Sequence, residues 1–214
     1  MAFVGMSVAA RAEGPPNATA DDLARVVLSY FPAGAGRIAA ISGDTAEIDL
    51  PNMPGLAPGV ILSVYREREP FYHPVTGVEL GRFEDAMGEV EIAQVSEKNA
   101  SGRILSGTVR VGDGVRIPSK IPLSLSPATG GGPIPAALMA ILLETGRFQI
   151  DAANAVYMLH VTPLPASAHF ALRMQNVRTG RTLFEMTAAI YASEDDPVLE
   201  RWRHLSAPSS PVGK

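Results

Sequence analysis

The sequence predicts an α+β protein in two parts: a small closed β-barrel with a projecting hairpin, followed by a small α/β sandwich. Three observations carry that reading. Between Gly36 and Pro118, short alternating segments are punctuated by glycine turns, ending in Val111-Gly112-Asp113-Gly114-Val115. A stretch from about Ile134 to Thr145 is then apolar almost all round, and beyond it strand-like segments resume. Runs of short strands with turn residues at regular spacing predict a barrel or sandwich, and a helix without a polar face predicts one packed against a sheet.

The elements follow in order. Residues 1–18 read as a signal-like or disordered arm: Ala2 to Ala9 is apolar, and Ala10-Arg11-Ala12 has the small-x-small spacing of a signal-peptidase site. Residues 19–120 read as a helix plus barrel. Thr19-Ala20-Asp21-Asp22 has the spacing of a capping box with aspartate in the usual glutamate position, and Leu23, Val26, Val27, Tyr30 and Phe31 follow on one helical face. Arg37 to Ser42 and Thr45 to Leu50 form a hairpin around Gly43-Asp44. Val60 to Tyr65, Glu89 to Val95, Ala100 to Leu105 and Val115 to Pro118 supply the remaining strands, and closure removes their free edges.

Residues 121–206 form the second unit. Ile121 to Ser126 is a strand, Thr129-Gly130-Gly131-Gly132 a loop, and Gly146 ends the helix that follows. Strands are predicted at Arg147 to Asp151, Ala155 to Thr162, His169 to Asn176 and Arg181 to Tyr191, the last two joined by Arg178-Thr179-Gly180. Asp196-Pro197 starts a final helix carrying Val198, Leu199, Trp202 and Leu205, and 207–214 is a disordered tail.

Between Tyr65 and Met87 the inside-outside rule fails. Arg66, Glu67, Arg68 and Glu69 charge both faces of the strand, which a barrel wall does not tolerate, so this hairpin is expected to project into solvent. Its turn is Pro74-Val75-Thr76-Gly77. Aromatics beside arginine are common interface anchors, which makes Arg66, Arg68, Phe71 and Tyr72 the candidate partner contact. The alternative is that both rings fold back onto the barrel.

Chemistry is harder to find. Four histidines, His73, His160, His169 and His204, lack the spacing of a zinc site, and no serine sits in a nucleophile elbow. The Gly130-Gly131-Gly132 loop precedes a helix as a phosphate loop does, but no Gly-Lys-Ser/Thr follows, and Pro133 and Pro135 remove two of the amides such a cradle needs. Glu194, Asp195 and Asp196 read as carboxylates favouring a helix N-terminus. Neither metal nor cofactor is expected, and the chain is read as a non-enzyme. With no cysteine, disulfides and thiolate sites are excluded. Between Arg37 and Lys120 nine basic side chains meet twelve acidic ones, which weighs against a nucleic-acid-binding barrel. No stretch approaches the roughly 18 apolar residues of a membrane span.

Gly55-Leu56 to Gly59, Val64-Tyr65-Arg66, His73 to Gly77 with Leu80-Gly81, Gly88-Glu89-Val90 and Gly112-Asp113 resemble the C-terminal barrel of the flagellar assembly protein T. The second half, with Thr145-Gly146-Arg147-Phe148 and strands around Asn176 to Leu183, is similar to the N-terminal domain of TolB, a fold shared with the curli secretion protein CsgG. The resemblance covers residues 36 to 192, and its barrel-first order departs from that of the flagellar protein. It implies a TolB-type sandwich and a non-catalytic, periplasmic envelope assembly or scaffold protein, flagellar or secretion-associated, that works through an envelope protein partner. A module binding a small ligand or polysaccharide is the alternative function.

Overall fold

A computed structural model describes residues 11–13, 19–50, 55–126, 133–164 and 169–189. Strands predominate, with two helices, so the α+β expectation holds in its coarse form. The chain divides into two compact units, residues 27–119 and residues 1–26 with 120–214. This division is not the linear one the sequence suggests, and it falls inside the first helix.

That helix, α1 (Ala20–Ser29), starts at a reciprocal cap. The Thr19 N–H donates to Asp22 Oδ2 at 3.0 Å and the Asp22 N–H donates back to Thr19 Oγ1 at 3.2 Å. Two of the donors that every helix start leaves without partners are thereby satisfied. The backbone and side-chain hydrogen bonds of Thr19 hold the Asp22 carboxyl below its usual range. Leu23, Ala24, Val27 and the following Phe31 are buried along one face.

Six strands of the first unit close into a barrel: β2 (Ala35–Ser42), β3 (Thr45–Asp49), β4 (Ile61–Tyr72), β5 (Glu79–Val95), β6 (Asn99–Gly107) and β7 (Gly114–Arg116). Their order around the barrel is β2-β3-β6-β5-β4-β7, every neighbouring pair antiparallel, with β7 closing the ring by pairing both β2 and β4. Alternation decides what lies inside. Ile38, Ile48, Leu62, Val64, Val90, Ile92 and Val115 are all at most 1% exposed, so the interior is aliphatic. Each such side chain contributes about 1.5–3 kcal/mol by leaving water.

The other unit is a six-stranded mixed sheet. It comprises β1 (Arg11–Glu13), β8 (Ile121–Leu125), β9 (Phe148–Ile150), β10 (Tyr157–Pro163), β11 (His169–Asn176) and β12 (Thr182–Ala189), in the order β1-β12-β11-β10-β8-β9. β8 and β9 are parallel neighbours, and the crossover this requires is α2 (Pro133–Glu144). One sheet face is apolar and buried, carrying Leu123, Leu159, Val161, Leu172, Met174 and Met186. α2 buries Ala137, Leu138, Met139 and Leu142 and leaves Leu143 exposed, so it covers the sheet from one side only.

One expectation needs correcting. Residues 1–18 do not form an arm throughout, because Arg11–Glu13 adds to β12 in parallel, Arg11 opposite Glu185. A sheet edge offers a row of unpaired backbone groups, and a short segment of almost any composition can satisfy them, so side-chain pattern gave no warning. The glycine loop at Gly130, the helix expected from Asp196 and the 207–214 tail lie outside the described residues.

Candidate functional site

β4 and β5 run on past the barrel as a two-stranded arm. β4 pairs with β7 only at Ser63, Val64 and Tyr65, and β5 pairs with β6 only from Gly88 onward, yet the two strands stay paired to Tyr72 and Glu79. Beyond those points the ribbon is exposed or half-buried on both faces, which is what charge on both faces of Arg66 to Glu69 requires.

The foot of the arm is locked by the turn before β7. Asp113 Oδ1 accepts from Arg66 Nε at 2.7 Å, and Oδ2 accepts from Arg66 Nη2 at 2.9 Å and from the Arg110 N–H at 2.8 Å. The Asp113 side chain is 3% exposed and that of Arg66 30%. Burial pushes the Asp113 carboxyl up, but the hydrogen bonds from Arg66 and Arg110 outweigh it and hold the group below its ordinary value. The Asp113 hydrogen bond in turn raises the Arg66 guanidinium further. Two-point charged hydrogen bonds fix orientation as well as distance.

The next residue, Gly114, makes room for an aromatic ring. A Cβ there would stand 2.3 Å from the Tyr65 ring, so only glycine lets the ring lie flat against β7. Arg116 then stacks over Tyr65, its guanidinium carbon 4.4 Å from the ring centroid, and reaches Glu84 on the arm with two hydrogen bonds, one of 3.0 Å. Arg68 pairs with Asp85 across the arm, and Arg37 approaches Glu67 at 3.9 Å. Exposed pairs of this kind contribute little singly. Together they brace the ribbon against the barrel rim.

Farther out the surface becomes apolar. Phe71 on β4 and Phe83 on β5 stack with centroids 5.1 Å apart at 41°, and Gly81, opposite Phe71 in the ladder, lets that ring lie across the strand. Phe83 is 60% exposed, Tyr72 55%, and Val75 at the tip 86%. Val78 and Leu80 are exposed beside them. His73 organises the turn: its N–H donates to the Val78 carbonyl at 2.8 Å, its carbonyl accepts from the Gly77 N–H at 2.9 Å, and its Nδ1 accepts from the Val75 and Thr76 amides.

The four residues singled out by sequence thus separate into two roles. Phe71 and Tyr72 stand on the exposed part of the arm and Arg68 flanks them, whereas Arg66 is committed to Asp113 at the foot. Phe83 was not singled out. Its signal was the alternation Gly81-Arg82-Phe83, which places it on the face of Phe71 once the register is known.

In the second unit Ser124 Oγ and His160 Nε2 are buried without a hydrogen-bond partner among the described residues. His160 lies on β10 opposite Arg173; burial lowers its pKa, Arg173 lowers it further, and a hydrogen bond with Gln175 partly offsets both. His169 lies on β11. Among the described residues no group of three or more histidines and acids could hold a metal ion. A small open recess of about 290 Å³ on the barrel is lined by Ala35, Gly36, Arg37, Asp49 and Tyr65. No helix among the described residues is long and apolar enough to cross a membrane.

No family model matches the chain. It is similar to an uncharacterized protein of Aquifex aeolicus (strain VF5), 32% identical over 92 residues, which cover 42% of this chain and 18% of that protein. The match therefore spans less than a fifth of that relative's length.

Proposed function

We propose that this is a non-catalytic assembly or scaffold protein of the cell envelope, acting in the periplasm through protein contacts made by the β4–β5 arm. The observation that carries the reading is the exposed apolar end of the arm, Phe71, Tyr72, Val75, Val78, Leu80 and Phe83, held out on a foot fixed by Arg66–Asp113 and Arg116–Glu84. Large side chains stay in water at a cost unless something covers them, and a braced ribbon loses little freedom when it docks.

The envelope setting rests on the resemblance of the barrel to that of flagellar assembly protein T and of the second unit to the TolB N-terminal fold. A flagellar or secretion role is the finer form of the same proposal. The mixed sheet with one covering helix supports the TolB comparison only at the level of architecture.

Capture from an envelope extract tests the reading. Wild-type protein should retain a partner that the double variant Phe71→Ser, Tyr72→Ser releases, while both remain folded. Equal retention by the two sinks the arm as the contact.

A further inference from the structure

We propose that the outer edge of β5 on the arm pairs with the same edge of a second copy of this chain, joining two arms into one four-stranded antiparallel ribbon about a two-fold axis at Phe83. The inference rests on the reading of the arm as a contact surface and names its occupant.

The edge is open over a defined length. Among the described residues no strand pairs β5 on the side away from β4 until Gly88 meets Gly107, and the Met87 carbonyl is already taken by the Thr108 N–H at 2.8 Å. Its hydrogen-bonding phase follows from the ladder. His73 N–H to Val78 carbonyl is a bonded position, so Tyr72–Glu79 is open, Phe71–Gly81 bonded and Pro70–Arg82 open. Pro70 fits this, since it has no N–H to offer. Arg82, and by alternation Glu84 and Ala86, therefore turn their N–H and carbonyl groups to the outer edge of β5; Leu80 is the extra residue of the bulge between Glu79 and Gly81. The opposite edge is blunted by Pro70, the usual protection of an edge strand, and between Glu79 and Met87 β5 has no proline.

The open stretch, from Glu79 to Met87, is centred on Phe83. About that centre Arg82 of each copy faces Glu84 of the other, giving two opposite-charge pairs. Centring on Arg82 instead would set Arg82 against itself and Glu79 against Asp85; centring on Glu84 would set that carboxylate against itself. Like charges directly opposite destabilise a strand pair, so the sequence selects the Phe83 register. In that register the two Phe83 residues form a non-bonded pair, the closer of the two kinds, and each is flanked by its own Phe71. Four rings line one face of the joined ribbon, and the exposed Phe83 surface is covered.

Light scattering on the full chain should give twice the chain mass for the wild type and the single-chain mass for Arg82→Glu, which sets two glutamates opposite each other. The chain has no cysteine, so Phe83→Cys supplies a lone thiol on the axis. Across a non-bonded pair the Cα separation suits a disulfide, and mild oxidation should yield covalent dimer, with Val75→Cys at the tip serving as the exposed control. A wild-type chain that stays single at its highest soluble concentration, or Phe83→Cys cross-linking no faster than Val75→Cys, overturns the self-pairing. Loss of a different partner from the Phe71→Ser, Tyr72→Ser protein would still stand in that case, so the two readings fail separately.

Discussion

Arg66 and Asp113, 47 residues apart in sequence, meet in a two-point contact of 2.7 and 2.9 Å at the place where β4 leaves the barrel. The pair joins the arm to the turn that closes the ring. Asp113 also accepts the Arg110 N–H, and its own carbonyl accepts the Ile38 N–H at 2.9 Å, so one residue ties β4, β2 and the turn together.

Asp113→Asn should therefore destabilise the barrel by about 2 kcal/mol, the range for hydrogen bonds to a charged group. The effect should depend on pH. A carboxyl held below its ordinary value contributes its full stability above about pH 4, where the unfolded chain is ionised, and loses it as pH falls through the lowered folded value. Urea titrations of both proteins should show a gap that is constant near neutrality and shrinks below about pH 4. A gap that widens on acidification contradicts the assignment.

Gly114→Ala should cost about 1–3 kcal/mol, because the added carbon overlaps the Tyr65 ring. Truncating the ring removes the clash, so Gly114→Ala in a Tyr65→Ala background should cost far less. A double-mutant cycle reads the coupling directly.

Replacing Phe71 and Tyr72 by serine should change stability by about 1 kcal/mol at most, as for surface positions away from a packed core. A loss of about 3 kcal/mol or more per ring would mean that the rings belong to a core. Thermal melting distinguishes the two.

His160 gives the second unit its own pH response. Its folded pKa lies below the ordinary value, so stability is unaffected well above about pH 6.5 and falls as pH drops below it, where the unfolded chain takes up a proton that the folded chain resists. His160→Gln should flatten that part of the profile, read by the unfolding of the second unit.

Much of this architecture is local, and local signals were legible. The Thr19–Asp22 cap, the Gly43-Asp44 and Arg178-Thr179-Gly180 turns and the strand at His169 to Asn176 each follow from a few adjacent residues. The charged run Arg66 to Glu69 announced the arm because it breaks a period of two. Contacts set by register were not legible. Phe83 shares the face of Phe71 because the β4–β5 ladder sets Phe71 opposite Gly81, and Arg66 meets Asp113 through ring closure. The parallel addition of Arg11–Glu13 to β12 depends on backbone groups alone and leaves no trace in side-chain order.

That last pairing also sets an order of events in folding as the chain emerges from its N-terminal side. The barrel unit is one continuous stretch, residues 27–119, and all six of its strands emerge before the mixed sheet has more than β1. β1 must wait for β12, its neighbour in the finished sheet and the last strand described. The folding chain thus carries the whole barrel segment between an early strand and the late strand that will receive it, and the completed sheet holds the barrel as an obligate insert.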